Sequence, residues 1–377
     1  YIALAYAAKI KLYQAYQQDE TTHAVTSINK ELLREVVSLC DQVTASNRYG
    51  LLDDFQGLDL VANENGKESV FAIQYSMNDG TESAGRINWS NLLNSPGGGS
   101  PYGGDGFFLP SQDLINAYQT DANGLPDFNY QSKSDYSWAV LNNGVYTLQN
   151  TTPNVDPRLD FVVGRPTITW KTYPDKPCEG WVRDKETYGY NCAKRFWVSP
   201  ESSDMFNGWP WGASQLNWQI IRYADILLWK AEALIELNEG DGLETARDLI
   251  NQIRNRARNS AYVKDFNDHS KYAANYLVNP YPADVWNQDY ARQALRWETR
   301  LEKALEGERF FDLVRWGIVE TTMNKYITAE SDNRIYYANA HFTGGKDEYY
   351  PVPNNQYGFS GGKYCLLYTS PSPRDCS

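Results

Sequence analysis

The chain has 377 residues, enough for one large domain or two ordinary ones, so core size does not limit the fold. Its 35 Lys and Arg against 47 Asp and Glu give a net charge of −12, which repels phosphate backbones and anionic headgroups; with no compensating basic run, this argues against nucleic acid as a partner. Tyrosine (28) and tryptophan (12) far outnumber methionine (3), and no apolar run reaches the ~18 residues of a membrane-spanning helix.

Residues 1–46 predict a helical hairpin. The alanine-rich opening YIALAYAAKIKLYQAYQQ is followed by Ile28 to Ala45, with Leu32, Leu33, Val36, Val37, Leu39 and Val43 at helical spacing. The chain opens inside a helix without Met, cap or basic leader, which reads as an N-terminally incomplete fragment. Residues 47–217 change character. Turn signals (Gly97-Gly98-Gly99, Asn123-Gly124, Asn143-Gly144) separate short strand-like runs such as Val70 to Tyr75, with one short helix near Ser111 to Tyr118. A loop-rich stretch of this length is uncommon in a compact domain unless it carries function.

Residues 218–360 return to helices. Ile221, Ala224, Leu228, Ala231, Leu234 and Ile235 mark one, Gly240-Asp241-Gly242 a turn, and Ala246, Leu249, Ile250, Ile253 and Ala257 the next; recurring alanines let such hairpins stack closely, as tetratricopeptide repeats do. A further amphipathic helix is predicted from Gln288 through ALEGERFFDLVRWG to its stop at Gly317. Its charges, Glu298, Glu302, Glu308, Arg309, Asp312 and Arg315, read as a solvated face laced with salt bridges. Residues 361–377 read as a non-native tail, CLLYTSPSPRD resembling a translated adapter. The expected fold is mainly α: tetratricopeptide-like hairpins as a scaffold, a large loop-rich region and a few short strands, in one mixed domain.

Catalytic patterns are weak. His23, His269 and His341 are far apart without metal or triad spacing. The GGGSPYGG run at Gly97 to Gly104 lacks the Lys of a phosphate loop and reads as a flexible surface loop, and Asp121 to Asp127 reads as a plain turn rather than a calcium loop. No residue is assigned a catalytic role, no cofactor is implied and no metal ligand is assigned. Cys40, Cys178 and Cys192 show neither CxxC nor Cys/His spacing; for Cys178 and Cys192, a disulfide and two free thiols both remain open.

Binding is better supported. The aromatic excess falls in the loop-rich region, where rings either staple loops to a scaffold or stack on the apolar faces of sugar rings. Trp89, Tyr102, Trp138, Trp181, Trp209 and Trp211 are the candidate ligand-binding residues, with Asn88, Asn91, Arg183 and Asn207 beside them to order hydroxyls; Trp218 and Trp229 are assigned to the helix core.

Two segments carry a family resemblance. RYADILLWKAEALIELNEGDGLETARDLINQIRNR from Arg222, and the later stretch bearing Glu298, Arg300, Glu302, Glu306, Gly307, Arg309, Asp312, Arg315, Trp316 and Gly317, closely resemble the two signature segments of the SusD/RagB family of outer-membrane nutrient-binding lipoproteins. Shorter matches lie at Ala7 to Tyr13, Asp156 to Asp160 and Tyr350 to Pro353. The resemblance implies a lipid-anchored protein of the outer membrane's cell surface, its N-terminal anchor missing from this fragment. Such a subunit binds an oligosaccharide and passes it to a SusC-like TonB-dependent transporter. Peptide or other non-sugar cargo is the alternative, and a glycoside hydrolase a weaker one.

Overall fold

A computed structural model describes residues 1–82, 85–94, 96–171, 178–182 and 189–326. Arg183, His341, the Tyr350 to Pro353 match and the 361–377 tail lie outside the described residues. Two compact units are distinguished: Tyr1–Ala15 with Ile28–Leu305, and Tyr16–Ser27 with the chain from Glu306 onward.

In the larger unit the two opening helices form as expected. Ile2–Ala15 buries Ala5, Ala8, Leu12 and Ala15, a narrow stripe of mostly small side chains. Lys30–Thr44 starts at Asn29, whose side chain accepts from the amides of Glu31 and Leu32, and buries Leu33, Val36, Cys40 and Val43 against the first helix. The helix Tyr223–Leu237 packs on Lys30–Thr44 on one side and on Gly242–Asn259 on the other. Being the middle layer, it is buried nearly all round, Trp229 included. Asn238 in the left-handed region and the tight Gly240 turn reverse the chain between the two. Gln288–Glu302 packs on both.

The loop-rich region supplies short antiparallel pairs: Ser69–Ile73 with Trp218–Arg222, Gln119–Thr120 with Asn154–Val155, Val163–Gly164 with Cys192–Ala193, and the hairpin Trp138–Asn142 with Val145–Gln149. Asn143 and Gly144, both at positive φ, make the hairpin's two-residue turn. Ser111 caps the short helix Gln112–Ala117 through the Leu114 amide, and the Asp121 carboxylate is engaged by the Asn123 and Leu125 amides of a turn. Trp218 does not belong to the helix core; it stands half-buried at the start of its strand, its ring 4.6 Å from that of Phe196.

The helix predicted from Gln288 to Gly317 is broken. Regular helix ends at Glu302 and resumes as Arg309–Arg315, with Leu305 and Gly307 between them at φ of 67° and 84°. Nor are Glu298 and Glu302 a solvated face: both are fully buried. Arg158 lies 2.6 Å from Glu298 and 3.2 Å from Glu302, and its fork is held by Asp156. Arg254 reaches Glu298 at 3.0 Å; Arg222 and Arg256 bind both Glu302 and Glu68. Four arginines thus meet four carboxylates in a core sealed from water, where only charge balance and close geometry offset desolvation. The like-charged Glu298 and Glu302, one helical turn apart, coexist because the Arg158 guanidinium bridges them and further arginines pair with each.

In the smaller unit, Tyr16–Gln18 pairs with Val25–Ile28, and the Gln18 side-chain amide donates to the carbonyls of Val314 and Arg315 at the end of the Arg309–Arg315 helix. Arg315 pairs with Asp312 at 2.8 Å and lies over the Trp316 ring.

Candidate binding surface

The six aromatic candidates separate by burial. Trp209, Trp211 and Trp89 are 61%, 50% and 40% exposed, whereas Tyr102 and Trp181 are 2% and 4% exposed. Trp138 is half-buried on a separate element, the 138–149 hairpin.

Tyr102 and Trp181 belong to an aromatic cluster with Trp170, Trp197, Cys178 and Cys192. The Tyr102 hydroxyl donates to the Val198 carbonyl at 2.7 Å and accepts from the Trp170 indole N–H at 2.8 Å. Its ring lies 4.7 Å from that of Trp197 and 6.4 Å from that of Trp181. With their faces covered by other rings, these two side chains have no surface to offer a sugar; they correct the expected platform set and take the stapling role instead. Tyr102 also anchors the glycine-rich run, and the Gly97 amide donates to the Trp181 carbonyl at 3.0 Å. That run is a surface loop pinned at two points to a buried core.

The exposed tryptophans stand on two loops that this cluster supports. Asn88 donates its amide to the Ser214 carbonyl at 2.8 Å, bringing residues 88–94 alongside residues 205–214. Trp89 then meets Trp209 edge to face, ring centres 5.1 Å apart at 86°. Gly103, at φ of 74°, brings its backbone so close to Trp211 that a methyl group there would lie 3.0 Å from the Trp211 Cβ. Gly212 does the same beneath Trp211, its missing Cβ lying 2.3 Å from the buried Trp197 ring.

Three further apolar groups open to solvent nearby: Leu93 on the 88–94 loop, and Phe107 and Phe108 just after the glycine-rich run, at 56%, 62% and 43% exposure. The Phe107 amide donates to the Leu93 carbonyl at 2.9 Å, joining two of them. None of the three stands out in the sequence as a site residue. Two adjacent phenylalanines in a Gly/Asp-rich loop without periodicity were the available signal. Exposed large aromatics concentrated on three neighbouring loop segments give an apolar surface of the kind that marks a binding site.

Two of the expected polar helpers act differently. Asn88 and Asn91 are buried; Asn91 donates to the Phe196 carbonyl at 2.8 Å, and Asn88 donates to the Leu216 carbonyl while accepting from the Ser90 amide. They position the platform loop rather than face a ligand. Asn207 and Ser90 are exposed beside the tryptophans, an amide and a hydroxyl suited to sugar hydroxyls. Since none of the exposed apolar groups titrates, stacking and desolvation are what this surface does chemically.

A family profile described as the SusD family matches residues 67–359. Among solved structures, this chain is similar to a SusD superfamily protein from Bacteroides vulgatus at 20% identity and a TM-score of 0.54, covering 91% of this chain and 56% of that one. It is also similar to a SusD-like carbohydrate-binding protein from Bacteroides fragilis at 19% identity and a TM-score of 0.55, covering 85% and 53%. A third, described as a structure with xylogluco-oligosaccharide, shares 16% identity at a TM-score of 0.50, covering 88% and 54%. The chain thus spans little more than half the length of these structures. No curated protein matches it.

Proposed function

The chain belongs to the SusD family, and from that premise we propose that it is a surface glycan-binding subunit, which captures oligosaccharides through Trp89, Trp209 and Trp211 and delivers them to a TonB-dependent outer-membrane transporter. The observation that carries this reading is the exposed Trp89–Trp209 pair with Trp211 beside it, on loops pinned to a buried aromatic cluster. Rings on rigid loops lose little entropy on stacking, so each contributes more of its interaction to affinity. Trp138, half-exposed on its hairpin, is a secondary candidate on the same reasoning.

The relatives described as carbohydrate-binding and as a xylogluco-oligosaccharide structure support a sugar ligand over other cargo. The mechanism is binding without a chemical step. Glu298 and Glu302, acids of the signature segment, are engaged by buried arginines and not presented to a glycosidic bond. No helix among the described residues is long and apolar enough to cross a membrane. On this reading the protein is held at the outer surface of the outer membrane by an N-terminal lipid.

Native affinity electrophoresis through gels containing soluble polysaccharides, with reducing ends assayed in parallel, tests the proposal. Retardation without new reducing ends is expected and names the glycan class. Release of sugar makes the protein a hydrolase, and no retardation on any glycan moves the reading to peptide or other cargo.

A further inference from the structure

We propose that Cys178 and Cys192 are the two halves of a structural disulfide, formed while the chain folds in an oxidising compartment, that fastens the floor under the tryptophan loops. Both are free thiols in this structure, fully buried in the same aromatic cluster, and the two are hydrogen-bonding neighbours. Cys192 lies in a short strand opposite Gly164, where a methyl group would come within 2.7 Å of the Cys192 sulfur and 2.6 Å of the Trp170 ring. A glycine at that position leaves the sulfur its space. Beside Cys178, the Gly180 carbonyl lies 2.6 Å from where a Cβ on Gly99 would stand, and the Trp181 carbonyl takes the Gly97 amide. A bond between the sulfurs therefore fastens the support of the glycine-rich loop, whose Gly103 packs on Trp211.

The reaction is thiol–disulfide exchange. A thiolate of one cysteine attacks a disulfide of the oxidant, either a small-molecule disulfide or an oxidised dithiol protein. The mixed disulfide is then displaced by the second cysteine, and the two electrons and two protons leave as the oxidant's pair of thiols. Burial pushes the Cys178 thiol well up, its hydrogen bond with Cys192 adding to the effect, so the folded pair reacts slowly in either direction. Exchange belongs to folding, before the cluster closes, and the bond once made is shielded from reductant. Cys40, also buried, has its thiol pushed up to about 12, chiefly by burial, and lies in a helix of the scaffold away from this cluster. This inference does not depend on the identity of the ligand.

The test is to refold the full chain across a series of glutathione disulfide to glutathione ratios, quench with acid, alkylate under denaturing conditions and map peptides without reduction. The expected result is one linked pair containing Cys178 and Cys192, with Cys40 recovered alkylated. Recovery of Cys178 and Cys192 as alkylated thiols at the most oxidising ratio overturns the proposal, as does a predominant link to any other cysteine. A second measurement compares melting of oxidised and reduced chains. The oxidised form is expected to melt about 5 °C higher, and a C178S/C192S variant with native circular dichroism is expected to melt alike under both conditions. An equal redox response in that variant overturns the assignment.

Discussion

The Arg222 guanidinium lies 3.0 Å from the Glu302 carboxylate, with neither side chain more than 1% exposed. Arg222 opens one signature segment of the chain and Glu302 belongs to the other, 80 residues on. Arg158 of the Asp156–Asp160 segment and Arg256 at the end of the second hairpin helix join the same carboxylate. Arg222, Arg254 and Arg256 of one signature segment and Glu298 and Glu302 of the other are therefore members of one buried ion network, which knits helices to loops.

Removing one member strands a charge in the core. Arg158→Met, Arg222→Met or Glu302→Ala is expected to destabilise the protein by about 3–5 kcal/mol, measured by urea unfolding. The double variant R222M/E302A is expected to cost less than the sum of its singles, because each single leaves the other's charge uncompensated.

Acid should dismantle the same network. Against the cost of its burial, Arg256, Arg222 and Arg158 hold the Glu302 carboxyl down at about 2, below its ordinary 4.5. The native state therefore binds fewer protons than the unfolded chain, so the stabilisation is complete above about pH 4.5 and is lost as pH falls from there to 2. Asp156, held low by Arg158, changes in the same direction. Thermal melts across this range check it: a melting temperature unchanged between pH 5 and pH 2 contradicts the expectation.

Asp135 has the opposite sign. Burial raises its carboxyl from 3.8 to about 6, although Asn116 donates a hydrogen bond to it at 2.7 Å. The native state then binds more protons, and Asp135 costs stability increasingly as pH rises from about 4 to 6. Asp135→Asn keeps an acceptor for Asn116 and is expected to stabilise the protein at pH 7 by about 1–3 kcal/mol while changing little at pH 3.

The aromatic residues are expected to divide into two classes of variant. Trp89→Ala, Trp209→Ala and Trp211→Ala should each weaken glycan binding about tenfold, with little change in melting temperature. Trp181→Ala should destabilise the fold by about 3–5 kcal/mol. Calorimetric titration beside thermal melts separates the two, and a Trp209→Ala protein that binds normally removes that ring from the site.

Gly212→Ala probes the platform from beneath. At φ of 72° and 2.3 Å from the Trp197 ring, an added methyl group must displace Trp197 or Trp211. A loss of about 1–3 kcal/mol in stability is expected, together with weaker binding. Unchanged melting and binding would show that the loop accommodates the methyl group.

Helix periodicity, alanine spacing and the two signature segments determined the scaffold: the opening hairpin, the Tyr223–Leu237 and Gly242–Asn259 pair and the short helix after Ser111 all follow from local side-chain pattern and caps. The exposure of each aromatic residue was decided by tertiary structure alone. Trp181 and Trp209 occupy similar Gly-flanked contexts, yet one is covered by Tyr102 and Trp170 and the other faces solvent. Burial depends on partners distant in sequence. The same holds for Glu298 and Glu302, whose i,i+4 spacing looks like an exposed face until arginines from distant segments converge on it. The break after Glu302 went unread for that reason too: the chain through Leu305 and Gly307 has a continuous helical pattern, and its interruption coincides with Glu302 being held in the ion network. Local pattern sets which elements form; long-range contacts decide which faces they hide, and the candidate site is what remains exposed.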